Sequence, residues 1–419
     1  MSKQLPPEII RSIVLYLKND KKFLYSSLFV SRDWFRGMID LLWRQPFHLL
    51  YTCNKKTIST SSQSKNSCHC SEKKRQFQAT NLLTTLFSIK YNEELVKEGI
   101  FKTKGEKYMF NYLEFLNVLD LRDLYSAIQD WNQWNKMNKS INSPLLNFLN
   151  NKFTSLTFNY NIFKYFFINS PKLKLLSFDS EFILHKINNN NSCLPLNKNI
   201  VEDDYWVNYN ILNDLLLIIN NSETIQFFSN LTELVFTTEE RKTRIFSSLS
   251  QICHNIQKLI VKVKFNVITN NYGTALTRET NNTLEEAKQL ISLIKSQHNL
   301  VYFELYDTHE AGTSEILKSL KETQHDSLKT LILSDVFINN NNTILLYLKY
   351  LRNLQELRLN KCIYQQNNSP CYWEDLWLPN LKYIQLDYIE EHKEVSEELS
   401  SILLGCSPLA NKNLLINKS

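Results

Sequence analysis

From residue 153 to residue 386 one short apolar phrase keeps returning: an apolar residue, two positions, a second, one position, a third. It reads at Phe153/Leu156/Phe158, Leu173/Leu176/Phe178, Leu231/Leu234/Phe236, Ile256/Leu259/Val261, Leu300/Phe303/Leu305, Leu328/Leu331/Leu333, Leu354/Leu357/Leu359 and Leu381/Ile384/Leu386. The last four copies begin at residues 300, 328, 354 and 381, hence 28, 26 and 27 residues apart. A period in the twenties constrains the chain strongly, because each unit is too small to cover its own apolar face and must stack on the next. The second and third residues of the phrase lie two apart, the period of a strand, so they share one face of a sheet. Between copies, Leu284 to Ser296, Thr313 to Thr323, Thr343 to Leu351 and Glu390 to Leu404 carry apolar residues three or four apart, as amphipathic helices do. The spacing predicts an α/β chain of repeated strands and helices.

Leu354 to Cys362 completes the longer form Leu-x-x-Leu-x-Leu-x-x-Cys, with a small polarisable residue at the bend after the strand. The series resembles the irregular, cysteine-containing type of leucine-rich repeat, although Val336, Thr308 and Ile389 stand at the Cys position of other copies. The resemblance implies a repeat solenoid, or horseshoe, over residues 151–419. Strand residues between the buried positions would then line its concave face: Lys258, Lys262, Tyr302, Glu304, Tyr306, Thr330, Ser334, Glu356, Arg358, Asn360, Tyr383, Gln385 and Asp387. Tyrosine and arginine couple large contact area to a hydrogen-bonding tip, which suits a protein interface. Tyr302, Glu304, Tyr306, Glu356, Arg358, Tyr383, Gln385 and Asp387 are the candidate substrate-binding set.

The first 47 residues read differently. Leu5-Pro6-Pro7-Glu8 opens a helix, since proline at the first helical position loses no needed N–H and an early carboxylate complements the dipole. Ile9, Ile10, Ile13, Val14 and Leu17 form one apolar stripe, ended by the polar turn at residues 18–22. Phe23, Leu24, Leu28, Phe29 and Val30 follow, then Ser31 as N-cap of a helix carrying Trp34, Met38, Leu42 and Trp43. Three short helices with this much apolar surface cannot hide it all, so the unit needs a partner. The order Leu-Pro-x-Glu-Ile-Ile, Leu, Val-Ser-Arg-x-Trp, Leu-Trp resembles an F-box, with Ser31 where many members have cysteine. That resemblance implies binding to the Skp-type adaptor of a cullin-RING ubiquitin ligase, through a surface formed or supported by Leu5, Pro6, Ile9, Ile10, Ile13, Leu17, Leu28, Val30 and Trp34.

Residues 48–80, rich in Ser, Lys, Asn and Gln without apolar period, read as an exposed polar insertion, and residues 81–150 as bridging helices. The adjacent Cys68-His69-Cys70 does not suit a tetrahedral zinc site, which uses ligands two to four residues apart, so no metal is expected. The net charge of +6 concentrates early: residues 51–110 hold 11 basic and 5 acidic side chains. A solvated face accounts for this, and RNA binding through the segment ranks behind the other readings. Eight cysteines scattered over 419 residues do not form a disulfide framework, and no apolar run nears the roughly 18 residues that span a bilayer. Pro6, Pro7 and Glu8 stand where a signal peptide would continue its apolar core. The expectation is an intracellular protein, cytoplasmic or nuclear, with no membrane association and no homo-oligomer.

Six glycines never form a phosphate-cradling cluster, and Gly-x-Ser-x-Gly, His-Glu-x-x-His and Cys-x-x-Cys are all missing from the sequence. The expected role is therefore non-catalytic and cofactor-free: the substrate-recognition subunit of an SCF-type ligase, holding an adaptor, the cullin-RING core and a protein substrate together. The alternative is an interaction scaffold outside any ligase.

Overall fold

The computed structural model describes residues 5–17, 23, 26–27, 30–51, 72–87, 111–137, 152–179, 215–238, 244–263, 280–307, 312–338, 347–364, 376–388, 400–401, 403–407, 409 and 414–418. The fold is mixed α/β, built on parallel strands, and the chain divides into two units, Met1–Ser177 and Phe178–Ser419. Among the described residues no helix is long and apolar enough to cross a membrane.

In the first unit, helix α1 (Pro7–Tyr16) starts with proline at its first position, and α2 (Arg32–Trp43) is capped by Ser31, whose hydroxyl accepts from Trp34 N at 3.3 Å. Residues 23, 26 and 27, between them, are helical. Ile10, Val14, Met38 and Leu42 form a small core, with Phe23, Trp34, Leu41 and Trp43 packed against it. Gly37 allows the close approach of the two helices: a Cβ there would stand 3.1 Å from Ile10 Cγ2. Trp43 stacks on Tyr112 in the 3-10 turn Tyr112–Phe115, with ring centroids 4.1 Å apart.

The same unit holds α3 (His48–Tyr51), α4 (Glu72–Phe87), β1 (Val118–Asp120), α5 (Leu121–Met137), α6 (Lys152–Asn169) and β2 (Leu175–Asp179), whose last residues pass into the second unit. Two expectations change here. The phrase at Phe153/Leu156/Phe158 lies inside α6 and is not a strand. Further along the same helix Phe163, Phe166 and Phe167, spaced three and four residues apart as helical neighbours are, lie in the core. Conversely, residues 81–150 contain a strand as well as helices: β1 pairs in parallel with β2, Leu119 opposite Leu176. Leu116, Leu119 and Leu121 repeat the apolar phrase there, and all three are buried. The polar stretch 48–80 is in part helical, through α3 and the start of α4. Its Cys53, Cys68, His69 and Cys70 lie outside the described residues, as do the asparagine runs at residues 188–191 and 339–342.

A buried ionic cluster ties α3, α4 and α5 together. The Asp130 carboxylate accepts from the Tyr51 hydroxyl at 2.8 Å and from Arg75 Nε and Nη2 at 2.8 and 3.2 Å. In the basic run Lys73-Lys74-Arg75, Arg75 is thus used internally, while Lys73 and Lys74 are exposed.

The second unit contains α7 (Ile225–Phe228), β3 (Glu233–Thr238), α8 (Ile245–Ile252), β4 (Lys258–Val263), α9 (Thr280–Lys295), β5 (Tyr302–Asp307), α10 (Thr313–Thr323), β6 (Thr330–Ser334), β7 (Phe337–Ile338), β8 (Glu356–Asn360), β9 (Ile363–Tyr364), β10 (Tyr383–Tyr388) and β11 (Leu414–Lys418). Strands β3, β4, β5, β6, β8, β10 and β11 lie side by side in chain order, each parallel to the next. The phrase positions share register: Leu259, Phe303, Leu331, Leu357 and Ile384 form one buried row, and Val261, Leu305, Leu333, Leu359 and Leu386 the next. One backbone device recurs from β4 to β10, in which the carbonyl just before a strand accepts the two N–H groups at the opening of the following one. Gln257 O receives Val301 and Tyr302, Val301 O receives Lys329 and Thr330, Lys329 O receives Gln355 and Glu356, and Gln355 O receives Lys382 and Tyr383. In the first unit Asn117 O receives Lys174 and Leu175 in the same way, and Arg44 O, at the end of α2, receives Asn117 and Val118.

The bend after the strand also repeats. Asp335 and Lys361 take left-handed backbone at φ 50° and 53°, and the next residues, Val336 and Cys362, are fully buried. The Cys362 thiol points at the Leu333 and Asn360 carbonyls, 3.6 and 3.8 Å away. A second small parallel pair, β7 with β9, follows this bend.

Candidate interaction surfaces

The alternation of each strand places its remaining side chains on the other sheet face, and the common register sorts them into rows. One row runs Glu233, Lys258, Tyr302, Thr330, Glu356, Tyr383. The middle row runs Val235, Ile260, Glu304, Ile332, Arg358, Gln385, Leu415. The third runs Thr237, Lys262, Tyr306, Ser334, Asn360, Asp387, Asn417. All eight residues predicted as substrate-binding, Tyr302, Glu304, Tyr306, Glu356, Arg358, Tyr383, Gln385 and Asp387, fall in these rows. Val235, Ile260 and Ile332 add an apolar component that the sequence reading left out, although the same strand alternation marks them.

The face is cross-linked unevenly. On β8 and β10, Arg358 forms an ion pair with Glu356, its Nε at 2.6 Å from Oε1, and its guanidinium lies 5.1 Å from the centre of the Tyr383 ring. Thr330 donates to Glu356 at 3.3 Å, Asn360 to Ser334 at 3.1 Å, Tyr383 to Gln385 at 3.1 Å, and Gln385 to Asp387 at 3.0 Å. On β5 the Tyr302 hydroxyl donates to Glu304 at 2.7 Å; burial first, then this bond, push its pKa above the ordinary tyrosine value. On β4, Lys258 lies 4.9 Å from the centre of the Tyr302 ring, and Lys262 is exposed. Such a hydrogen-bonded network is preorganised for contact with another molecule, since few of its side chains need ordering on binding.

The second surface lies on the first unit. Ile9 is 48 % and Val30 63 % exposed, and Leu5, Pro6, Leu15 and Tyr16 are exposed as well. Ile13, Leu17 and Trp34 are half-buried, Trp34 meeting Phe23 edge to face with centroids 6.1 Å apart. Ile10 is only 1 % exposed and supports the surface from beneath. Leu28 lies outside the described residues. Leu15 and Tyr16 are exposed apolar residues outside the predicted set.

Among the described residues no group of three or more His, Cys, Asp or Glu side chains is placed to hold a metal ion. Cys253, Cys362 and Cys406 are free thiols. The chain matches no protein-family model and no curated protein.

Proposed function

We propose that this chain is the substrate-recognition subunit of an SCF-type cullin-RING ubiquitin ligase. In this reading the helices around α1 and α2 are an F-box-like module that docks a Skp-type adaptor, and the stacked strands and helices are leucine-rich repeats that present a protein substrate on their open sheet face. The observation that carries the proposal is the division of labour within the N-terminal helical module. Ile10 and Val14 saturate the module's own core, whereas Leu5, Ile9 and Val30 remain in water on a contiguous run of sequence that resembles the F-box. Large apolar side chains kept exposed beside a completed core are the usual mark of a protein-binding surface. Transfer of ubiquitin would be carried out by the partner subunits, with this chain contributing proximity and orientation.

The test is co-purification of the intact chain and of a form lacking residues 1–46, followed by mass spectrometry. Recovery of both adaptor and cullin with the intact chain alone supports the proposal. Recovery of adaptor without cullin favours a scaffold outside the ligase, and recovery of neither rejects the docking role.

A further inference from the structure

Ion pairing on the sheet face does not reach the lysines of β4 among the described residues, and this asymmetry identifies a ligand class. Within β4 the side chains of Lys258, Ile260 and Lys262 alternate onto the open face, so the two ammonium groups bracket one apolar residue. Among the described residues no carboxylate forms an ion pair with either lysine. Glu233, in register beside Lys258, makes none with it; Glu304 accepts the Tyr302 hydroxyl, and Glu356 is held by Arg358 and Thr330. Val235 stands beside Ile260 on one side, while on the other Tyr302 and Tyr306 stand beside the two lysines and Glu304, tied to the Tyr302 hydroxyl, beside Ile260.

We propose that this part of the face binds an extended peptide segment of the form acid-x-apolar-x-acid, laid along β4 with its carboxylates on Lys258 and Lys262 and its apolar side chain on Ile260 and Val235. The proposal rests on the reading of the sheet face as the substrate surface and names the chemistry of what it receives. Residues four apart in extended chain are separated by about 13 Å, so acids at the first and fifth positions of a peptide match the lysines at the first and fifth positions of β4, and the third position falls over Ile260. Carboxylate oxygens on lysine ammonium groups are charge-assisted bonds, stronger than their neutral counterparts. Tyr302 and Tyr306 provide a wall with little conformational freedom to lose on binding.

The experiment uses the purified full chain and fluorescence anisotropy with three short labelled peptides: one with Glu-Ser-Leu-Ser-Glu at its centre, one of the same composition with adjacent glutamates, and one with Lys-Ser-Leu-Ser-Lys. The first should bind, weaken as salt is raised, and exceed the scrambled peptide by about tenfold, a difference of roughly 1.4 kcal/mol. The double variant Lys258→Glu/Lys262→Glu should lose the first peptide and gain the lysine peptide, with an unchanged circular dichroism spectrum. Equal binding of ordered and scrambled peptides, indifference to the double variant, binding only after the glutamates are replaced by phosphoserine, or preference for a single-stranded RNA oligonucleotide would each overturn the proposal. Should Arg358→Ala or Tyr383→Ala abolish binding of a co-purified substrate that the β4 variant leaves intact, the face stands as the recognition surface and this ligand class falls.

Discussion

Gln324 is suspended from Gln297. Its buried side-chain amide donates to the Gln297 carbonyl at 2.8 Å and to Ile294 O at 3.1 Å, while its Oε1 accepts from Leu300 N at 3.1 Å. Gln297 does the same one step earlier, donating to Cys253 O at 2.7 Å and accepting from Ile256 N at 2.9 Å. The thiol of Cys253 continues the series with Phe228 O at 3.2 Å. Each side chain satisfies the backbone groups that a turn between helix and strand leaves unpaired, and so joins adjacent repeats through polar bonds inside an apolar core.

Replacing Gln324 by Leu keeps the volume and removes the bonds, leaving the Leu300 N–H and the Gln297 carbonyl without their side-chain partner. The expected cost is about 2–3 kcal/mol, the upper part of the range for buried backbone groups deprived of a partner. Urea denaturation followed by circular dichroism measures it, and a surface control such as Lys318→Ala should change the midpoint little.

Burial pushes the thiols of Cys253 and Cys362 from 9.0 up to about 12. Both are therefore neutral and enclosed near neutral pH, and native protein should resist iodoacetamide at these sites while urea-unfolded protein reacts. The linkage has a definite sign. The unfolded chain releases these protons at lower pH than the folded one, so the stability is complete below pH 9 and is lost as pH rises toward about 12. Melting temperature should fall across that window, and Cys253→Ala/Cys362→Ala should flatten the fall.

Removing Asp130 leaves the Arg75 guanidinium and the Tyr51 hydroxyl without their shared acceptor. Loss of one partner of a buried ion pair costs about 3 kcal/mol or more, and the part-exposed position of Arg75 places Asp130→Ala near the lower end. Tyr51→Phe removes one hydrogen bond and should cost about 1 kcal/mol. Because α4 is held to α5 through this cluster, hydrogen exchange in Glu72–Phe87 should accelerate in Asp130→Ala and hardly change in Tyr51→Phe.

Local chemistry made several of these features readable in advance. Ser31 caps α2 because a short hydroxyl before an apolar helix has few other uses, and α10 runs from Thr313 to Thr323 as its periodicity foretells. Strand positions at 300–305, 328–333, 354–359 and 381–386 were legible because a period of two inside a period near 27 has no helical counterpart. The copy at Phe153 misleads because an isolated apolar triplet does not by itself establish a strand, and the following Phe163, Phe166 and Phe167, three and four residues apart, are the sign that decides for a helix. Leu116, Leu119 and Leu121 are hidden in a leucine-dense stretch whose helical spacing masks the strand. The burial of Gln297 and Gln324 leaves no mark in a hydropathy pattern; their separation of 27 residues, equal to the repeat, is the one clue. An asparagine just before the phrase at Asn255, Asn353 and Asn380 is a second clue of this kind. Each donates to a carbonyl of the preceding repeat, at Ser229, Asp326 and Arg352, over 3.4, 2.7 and 2.8 Å.

The docking role of the N-terminal surface is the claim on which the proposed function rests most heavily. Titration of a purified Skp-type adaptor into the purified chain, followed by calorimetry, tests it most directly when wild type is compared with Ile9→Glu/Val30→Glu. Both side chains point into solvent, so the double variant keeps its own core, whereas Trp34 packs against that core and would confuse folding with docking. A docking role predicts saturable binding by the wild type and a loss of at least about a hundredfold, roughly 2.7 kcal/mol, in a variant with unaltered melting temperature. Equal affinity of the two proteins, or no binding by either, would contradict it.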